Sequence, residues 1–155
     1  MSLAWRSTFA NWLSGFRGAL FAFLVAALLG CASFRVGGQE IVANANSSTG
    51  ELSRNEARLF FTMRLQHWPD GRPVKVFVLP DDNPVHSRFA KTILGLFPYQ
   101  LRRVWDRQLF SGTGQAPTTV ADEDEMLRRL TTTPGAIGYL ERLPRDDRVV
   151  RLRVH

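Results

Sequence analysis

Residues 52–73 read LSRNEARLFFTMRLQHWPDGRP, a helix, a turn and the approach to a buried strand. Ser53 and Glu56 have the spacing of a capping box: the hydroxyl can accept from the Glu56 N–H, and the carboxylate can reach back to the Ser53 N–H. A helix over about 53–65 is predicted, with Leu52 and Ala57 as a small staple at its start. Phe60, Phe61, Met63 and Leu65 supply apolar surface for packing. Trp68-Pro69-Asp70-Gly71 then reads as a turn, since Pro presets φ, Asp favours turns and Gly tolerates φ > 0. Val74-Lys75-Val76-Phe77-Val78-Leu79 follows as a mostly apolar strand.

Outward from this stretch, strands and helices alternate. Residues 39–44 read as a first strand and 46–50 as a polar loop. Asn83 is a cap and Pro84 a first helical residue, opening a helix whose apolar face is Phe89, Ile93, Leu94 and Phe97. Pro98 starts another, with Leu101, Val104, Trp105 and Leu109 inward and Arg102, Arg103 and Arg107 in solvent. Asp122-Glu123-Asp124-Glu125 opens a further helix, its acids complementing the macrodipole, and Met126, Leu127 and Leu130 pack inward. Residues 136–140 form a short strand in which Gly138 allows close backbone approach. Residues 149–154 alternate apolar and arginine, the pattern of an edge strand with one face in water. Trp68 and Trp105 are expected in the core. Alternating strands and helices indicate an α/β sandwich around a mixed sheet.

Leu52-Ser53-Arg54-Asn55-Glu56, then Phe60-Phe61, then Trp68 to Val74 resembles a segment of the periplasmic phosphate-binding proteins of ABC transporters. Thr133-Pro134-Gly135-Ala136-Ile137-Gly138-Tyr139 is similar to that family's TPGAIGY. The resemblance covers roughly residues 40–140 and implies a single periplasmic-binding-protein-like lobe, a mixed sheet flanked by helices, where the full-length family has two lobes. It also implies a protein that holds an oxyanion without catalysis, through N–H groups at helix starts, hydroxyls and one Arg. The family motif here resembles Arg-x-Asp-Gly-Ser-Gly-Thr, between the buried strand and the next helix. This chain has Leu79-Pro80-Asp81-Asp82-Asn83-Pro84-Val85 there, without the Arg, the glycines or the hydroxyls, so no family binding residue carries over. Two carboxylates would repel phosphate, and Pro84 has no donor N–H.

The first thirty residues differ from the rest. They contain Arg6 and Arg17, no acid, and an apolar run from Ala19 to Leu29, about the length of a signal-peptide core and too short for an ordinary span. Leu28-Leu29-Gly30-Cys31 resembles a bacterial lipobox, which implies cleavage before Cys31 and lipidation of its sulfur. The alternatives are a plain cleaved signal or an uncleaved anchor reaching back through Phe16; each exports the domain. The organisation expected is a signal over 1–30, a tether over 31–38 and one domain over 39–155, located in the periplasm and held to the membrane through Cys31. With one cysteine, no intrachain disulfide can form. The net charge of +6 is mostly scattered arginine; export argues against a nucleic-acid partner, and the charge is compatible with anions or acidic surfaces.

Ser111-Gly112-Thr113-Gly114 is the candidate ligand-binding loop, where consecutive N–H groups and two hydroxyls could cup an oxyanion. No Gly-Lys-Ser/Thr follows it, so it is not a Walker A loop. His67, His86 and His155 lack metal-ligand spacing, Ser87 beside His86 is not a triad, and no nucleophile elbow occurs. The sequence thus points away from an enzyme, a metal or a cofactor. It favours a solute-binding-like transport accessory, a membrane transporter or envelope complex being the protein partner. The other reading is a structural or interaction lipoprotein that kept the fold and lost its ligand.

Overall fold

The computed structural model describes residues 39–47, 49–112 and 114–155; residues 1–38 with Cys31, the signal and the tether, and also Thr113, lie outside the described residues. Six strands form one mixed sheet in the order β2-β6-β1-β5-β3-β4. β1 (Glu40–Asn44) pairs antiparallel with both β5 (Ala136–Leu140) and β6 (Val149–Val154). β3 (Lys75–Val78) runs parallel to β5, and two-residue strands, β2 (Glu51–Leu52) and β4 (Thr118–Thr119), close the edges in parallel with β6 and β3. The helices are α1 (Arg54–Phe61), α2 (Pro84–Phe89) continuing into a π-helical turn over Ala90–Leu94, α3 (Pro98–Phe110) and α4 (Glu123–Thr132).

β5 shows how the layers are set. All five of its residues are buried, as expected of a strand covered on both faces. Gly138 faces α4: a Cβ there would lie 2.5 Å from Met126 Sδ, so the missing side chain lets α4 settle on the sheet. The close approach expected at Gly138 is therefore by helix side chains. Tyr139, one residue on, points to the opposite face, stacked on Phe89 of α2 at 3.9 Å and 5.8 Å from Phe61 of α1. α3 backs onto this second layer, its Trp105 indole N–H donating to the Phe61 carbonyl at 2.9 Å.

The capping box forms as read, with Glu56 N–H donating to Ser53 Oγ at 3.1 Å and Ser53 N–H to Glu56 Oε2 at 2.8 Å. α1 stops earlier than its apolar pattern suggests. Met63 takes φ 58°, Arg64 N–H reaches back to Leu59 O and Met63 N–H to Phe60 O, the two bonds of a Schellman ending. A Met carries the left-handed position that Gly usually takes, so the stop left no signature in the sequence. Three side-chain expectations are also corrected. Phe97 and Leu109 are half-exposed because the chain turns at Gly95 and α3 buries only Leu101 and Trp105 fully. Arg102 is only partly in solvent: it packs over the Trp105 ring, 5.0 Å from its centroid, with more than a third of its side chain exposed. β6 is not an edge strand, since it lies between β2 and β1; its arginine face is in water as expected, with Arg151 pairing with Glu40 at 2.6 Å and Arg153 with Glu51 at 3.1 Å.

The two motifs that carry the family resemblance meet in space. The turn at Trp68 closes through Gly71 N–H to Trp68 O at 2.9 Å, with Gly71 at φ 83°. It delivers the buried Trp68 indole to Gly135, whose carbonyl accepts from Trp68 Nε1 at 3.1 Å and from Lys75 N–H at 3.0 Å. Gly135 has φ 75°, and a Cβ there would lie 2.4 Å from the Pro73 carbonyl oxygen. This seam registers β3 against β5.

Candidate functional site

In open α/β sheets, ligands bind beyond the carboxyl ends of the parallel strands. Here that crest is formed by the ends of β3, β4 and β5 with the starts of α2 and α4. β3 runs into Leu79-Pro80-Asp81-Asp82-Asn83, and Asn83 caps α2 by accepting from Val85 N–H at 2.8 Å. Asp122 caps α4 by accepting from Glu125 N–H at 2.8 Å, Glu125 accepts from Ala121 N–H at 2.8 Å, and Glu123 accepts from Glu141 N–H at 3.1 Å. Four backbone donors of the crest, those of Val85, Ala121, Glu125 and Glu141, are thus occupied by this chain's own side chains. Asp81, Asp82, Asp124 and Glu141 add further negative charge, and Glu141 is paired with Arg88.

The crest also supplies an arginine that the loop sequence lacks. Arg102, from α3, grips Asp81 with two hydrogen bonds, Nε to Oδ2 at 2.9 Å and Nη2 to Oδ1 at 2.8 Å. This fork holds the Asp81 carboxyl below the usual carboxylate range, the hydrogen bonds outweighing partial burial. Beneath the pair lies a buried polar chain. Leu79 N–H donates to Tyr139 Oη at 2.9 Å, and Tyr139 Oη donates to His86 Nδ1 at 2.5 Å. That bond assigns the neutral His86 proton to Nε2, which has no hydrogen-bond partner and lies 3.8 Å from Asp81 Oδ1. His86 has no exposed surface. Burial pushes its pKa down, Asp81 pulls it up by less, and Arg102 adds to the depression. Burial likewise pushes the Tyr139 phenol up, so it stays protonated and serves as donor.

Sequence reasoning missed this cluster, although faint signals exist. His86 lies three and seven residues before Phe89 and Ile93, on the apolar face of its helix, and Arg102 lies three before the buried Trp105. The cluster can orient the crest loop; as a chain of satisfied polar groups with one buried donor, it presents no nucleophile to solvent. Among the described residues no group of three or more His, Cys, Asp or Glu could hold a metal ion.

The predicted anion loop lies elsewhere, at the carbonyl end of α3. Ser111 N–H donates to Arg107 O and Gly112 N–H to Leu109 O, both within the helix ending, and Gly112 takes φ 67°. Gly114 fits closely against Gln108, whose Oε1 would lie 2.9 Å from an added Cβ, while Gln108 Nε2 donates to Thr62 O at 2.8 Å. Thr113, the fourth member, is outside the described residues.

No family model matches the chain, and no curated protein matches it in sequence. Solved structures do. A protein assigned as a phosphate ABC transporter substrate-binding protein from Clostridium perfringens, with bound phosphate, superposes with a TM-score of 0.57 at 16% identity, over 76% of this chain and 44% of that one. An ABC-type phosphate transport receptor from Vibrio cholerae gives 0.54 at 12% identity, over 76% and 46%. PstS from Borrelia burgdorferi gives 0.55 at 11% identity, over 76% and 47%. The chain thus spans less than half the length of each, and at these identities the likeness is one of fold: a mixed α/β sheet flanked by helices, of the periplasmic-binding-protein kind.

Proposed function

We propose that this chain is an exported, non-enzymatic, solute-binding-like protein that works at the cell envelope as an accessory to a membrane transporter. The observation that carries the reading is the fold shared with phosphate receptors over 76% of the chain. In this reading residues 1–30 are removed, Cys31 becomes the lipidated amino terminus and the domain stands in the periplasm. Among the described residues no helix is long and apolar enough to cross a membrane. Intact-mass measurement of the mature protein tests the leader. A chain starting elsewhere than Cys31, or a Cys31→Ala variant still held in the membrane, would contradict it.

The proposed ligand class is a small oxyanion bound weakly, with Ser111, Gly112, Thr113 and Gly114 as the candidate loop. Tight phosphate binding is not expected. At the crest, Asp82 is exposed, Asp81 is already paired with Arg102, and the Val85, Ala121 and Glu125 N–H groups are taken by side chains. A phosphate dianion about 4 Å from one carboxylate is repelled by roughly 2 kcal/mol even at the permittivity of water. The same capped crest favours the second reading, an envelope interaction lipoprotein that kept the fold without the ligand. Calorimetry with phosphate and sulfate separates the two: weak anion uptake fits the accessory, and none fits the interaction protein. A submicromolar one-to-one phosphate isotherm would overturn both and return the chain to the receptor class.

A further inference from the structure

The outer surface of α3 carries apolar rings that nothing in the domain covers. Phe97 is 50% exposed, Tyr99 57% and Phe110 91%. Tyr99 and Phe110 are eleven residues apart, three helical turns, so they lie on one stripe about 16 Å long. Phe97 and Tyr99 stack at 5.8 Å, with Lys91 above the first ring at 5.5 Å and Arg103 above the second at 5.7 Å. Lys91, Arg103 and the neighbouring Arg107 make no ion pair among the described residues; Asp106 is the acid of the stripe.

The place where the chain enters the domain coincides with this surface. Gln39, the first described residue, has its Oε1 3.3 Å from the Thr92 hydroxyl, which donates mainly to the Arg88 carbonyl at 2.8 Å, and Thr92 adjoins Lys91. The eight tether residues 31–38 span at most about 28 Å, and a domain of this size is roughly 35 Å across. A tether shorter than the domain it carries turns the side bearing its attachment point toward the membrane.

We infer that the Phe97–Tyr99 corner and the outer stripe of α3 rest on an anionic phospholipid bilayer, the rings at headgroup depth and Lys91, Arg103 and Arg107 among the phosphates. Aromatic rings with polar or cationic neighbours suit that interface. Lysine is depleted from the cores of protein interfaces, so Lys91 over an exposed Phe fits a headgroup layer better than a protein partner. Anionic lipid supplies the charge that the surface lacks, an attraction screened by salt. The inference rests on the membrane anchorage proposed above.

The test uses the full chain with Tyr99→p-benzoyl-phenylalanine, reconstituted with phosphatidylglycerol-containing vesicles or with phosphatidylcholine alone. Flotation is followed by irradiation and mass spectrometry. The same probe at the exposed Asp124, on α4 across the sheet, is the control. The expected result is floated protein that forms lipid adducts at position 99 in anionic vesicles, well above those at position 124 and above those in phosphatidylcholine. Lys91→Glu and Arg103→Glu should each lower the yield about fivefold with an unchanged circular dichroism spectrum. Floated protein without adducts at 99, equal yields at 99 and 124, or cross-links at 99 to a second copy, another protein or another part of this chain would overturn the docking and leave the anchor standing. Protein that does not float overturns both.

Discussion

The seam between Trp68 and Gly135 and the crest around Asp81 are two ends of the same strand pair, β3 and β5, and they are built in different ways. At the seam, Trp68 and Gly135 make contacts that only architecture requires: an indole on a carbonyl, and a glycine where a Cβ would collide with a backbone oxygen. At the crest, an Asp–Arg pair stands over a buried Tyr–His contact. The difference teaches that the contacts registering the sheet are separable from the polar groups that line its crest. The seam holds two strands in register by contacts inside the core; the crest is an ion pair at the surface over a buried polar contact.

Substitutions at the two places should therefore differ in kind, and the largest effects belong to the seam and the layer behind it. Trp68→Ala and Trp105→Ala should each cost about 3–5 kcal/mol, since both indoles are buried and hydrogen-bonded to backbone carbonyls. Chemical denaturation measures this, and an unchanged midpoint in Trp105→Ala would remove that residue from the core. Gly135→Ala should cost more than about 1–2 kcal/mol from the left-handed backbone alone, with the Pro73 carbonyl 2.4 Å from the new methyl adding to it. A stable Gly135→Ala protein would break the comparison, because the seam would then be as replaceable as the crest.

At the crest the effects should be smaller and electrostatic. Arg102→Ala removes a bidentate pair whose side chains are each more than a third exposed, so solvent screening limits the loss to roughly 0.5–1 kcal/mol. The sharper readout is by NMR titration: the Asp81 carboxyl should rise toward the ordinary carboxylate range once the guanidinium is gone. If Asp81 titrates unchanged, Arg102 is not its main partner in solution. The part of the His86→Gln effect that comes from charge should be smallest near neutral pH, where the imidazole is uncharged in the folded chain and mostly so in the unfolded one. Its effect appears on acidification. The folded pKa is depressed by burial, so the unfolded chain takes up the proton first, at about 6.5. The wild-type stability contributed by neutral His86 should be present above that pH and be lost as pH falls below it toward the folded pKa. Urea midpoints measured from pH 7 to pH 5 should decline more steeply for wild type than for His86→Gln, and parallel curves would mean that His86 is not buried as a neutral group.

Local grammar in the sequence was enough for the helix starts at Ser53, Asn83 and Pro98, the turn at Gly71, the strands around residues 40, 75 and 136 and the burial of both tryptophans. Each of these depends on a few neighbouring residues whose conformational preferences or periodicity are strong by themselves. The fold class was legible for the same reason, since alternating strands and helices leave few ways to bury their apolar faces. Only the tertiary structure decided that β6 is an inner strand, because a water-facing row of arginines alternating with apolar residues looks the same whether or not a further strand with its own carboxylate pairs alongside. The same holds at the crest. Asp81 and Arg102 are 21 residues apart and His86 and Tyr139 are 53 apart. No local preference of a loop aspartate or a helical arginine records that the folding of β3, α2, α3 and β5 will bring them within hydrogen-bond reach. Pairing of that kind depends on where the backbone finally places two charges, which neither charge specifies alone.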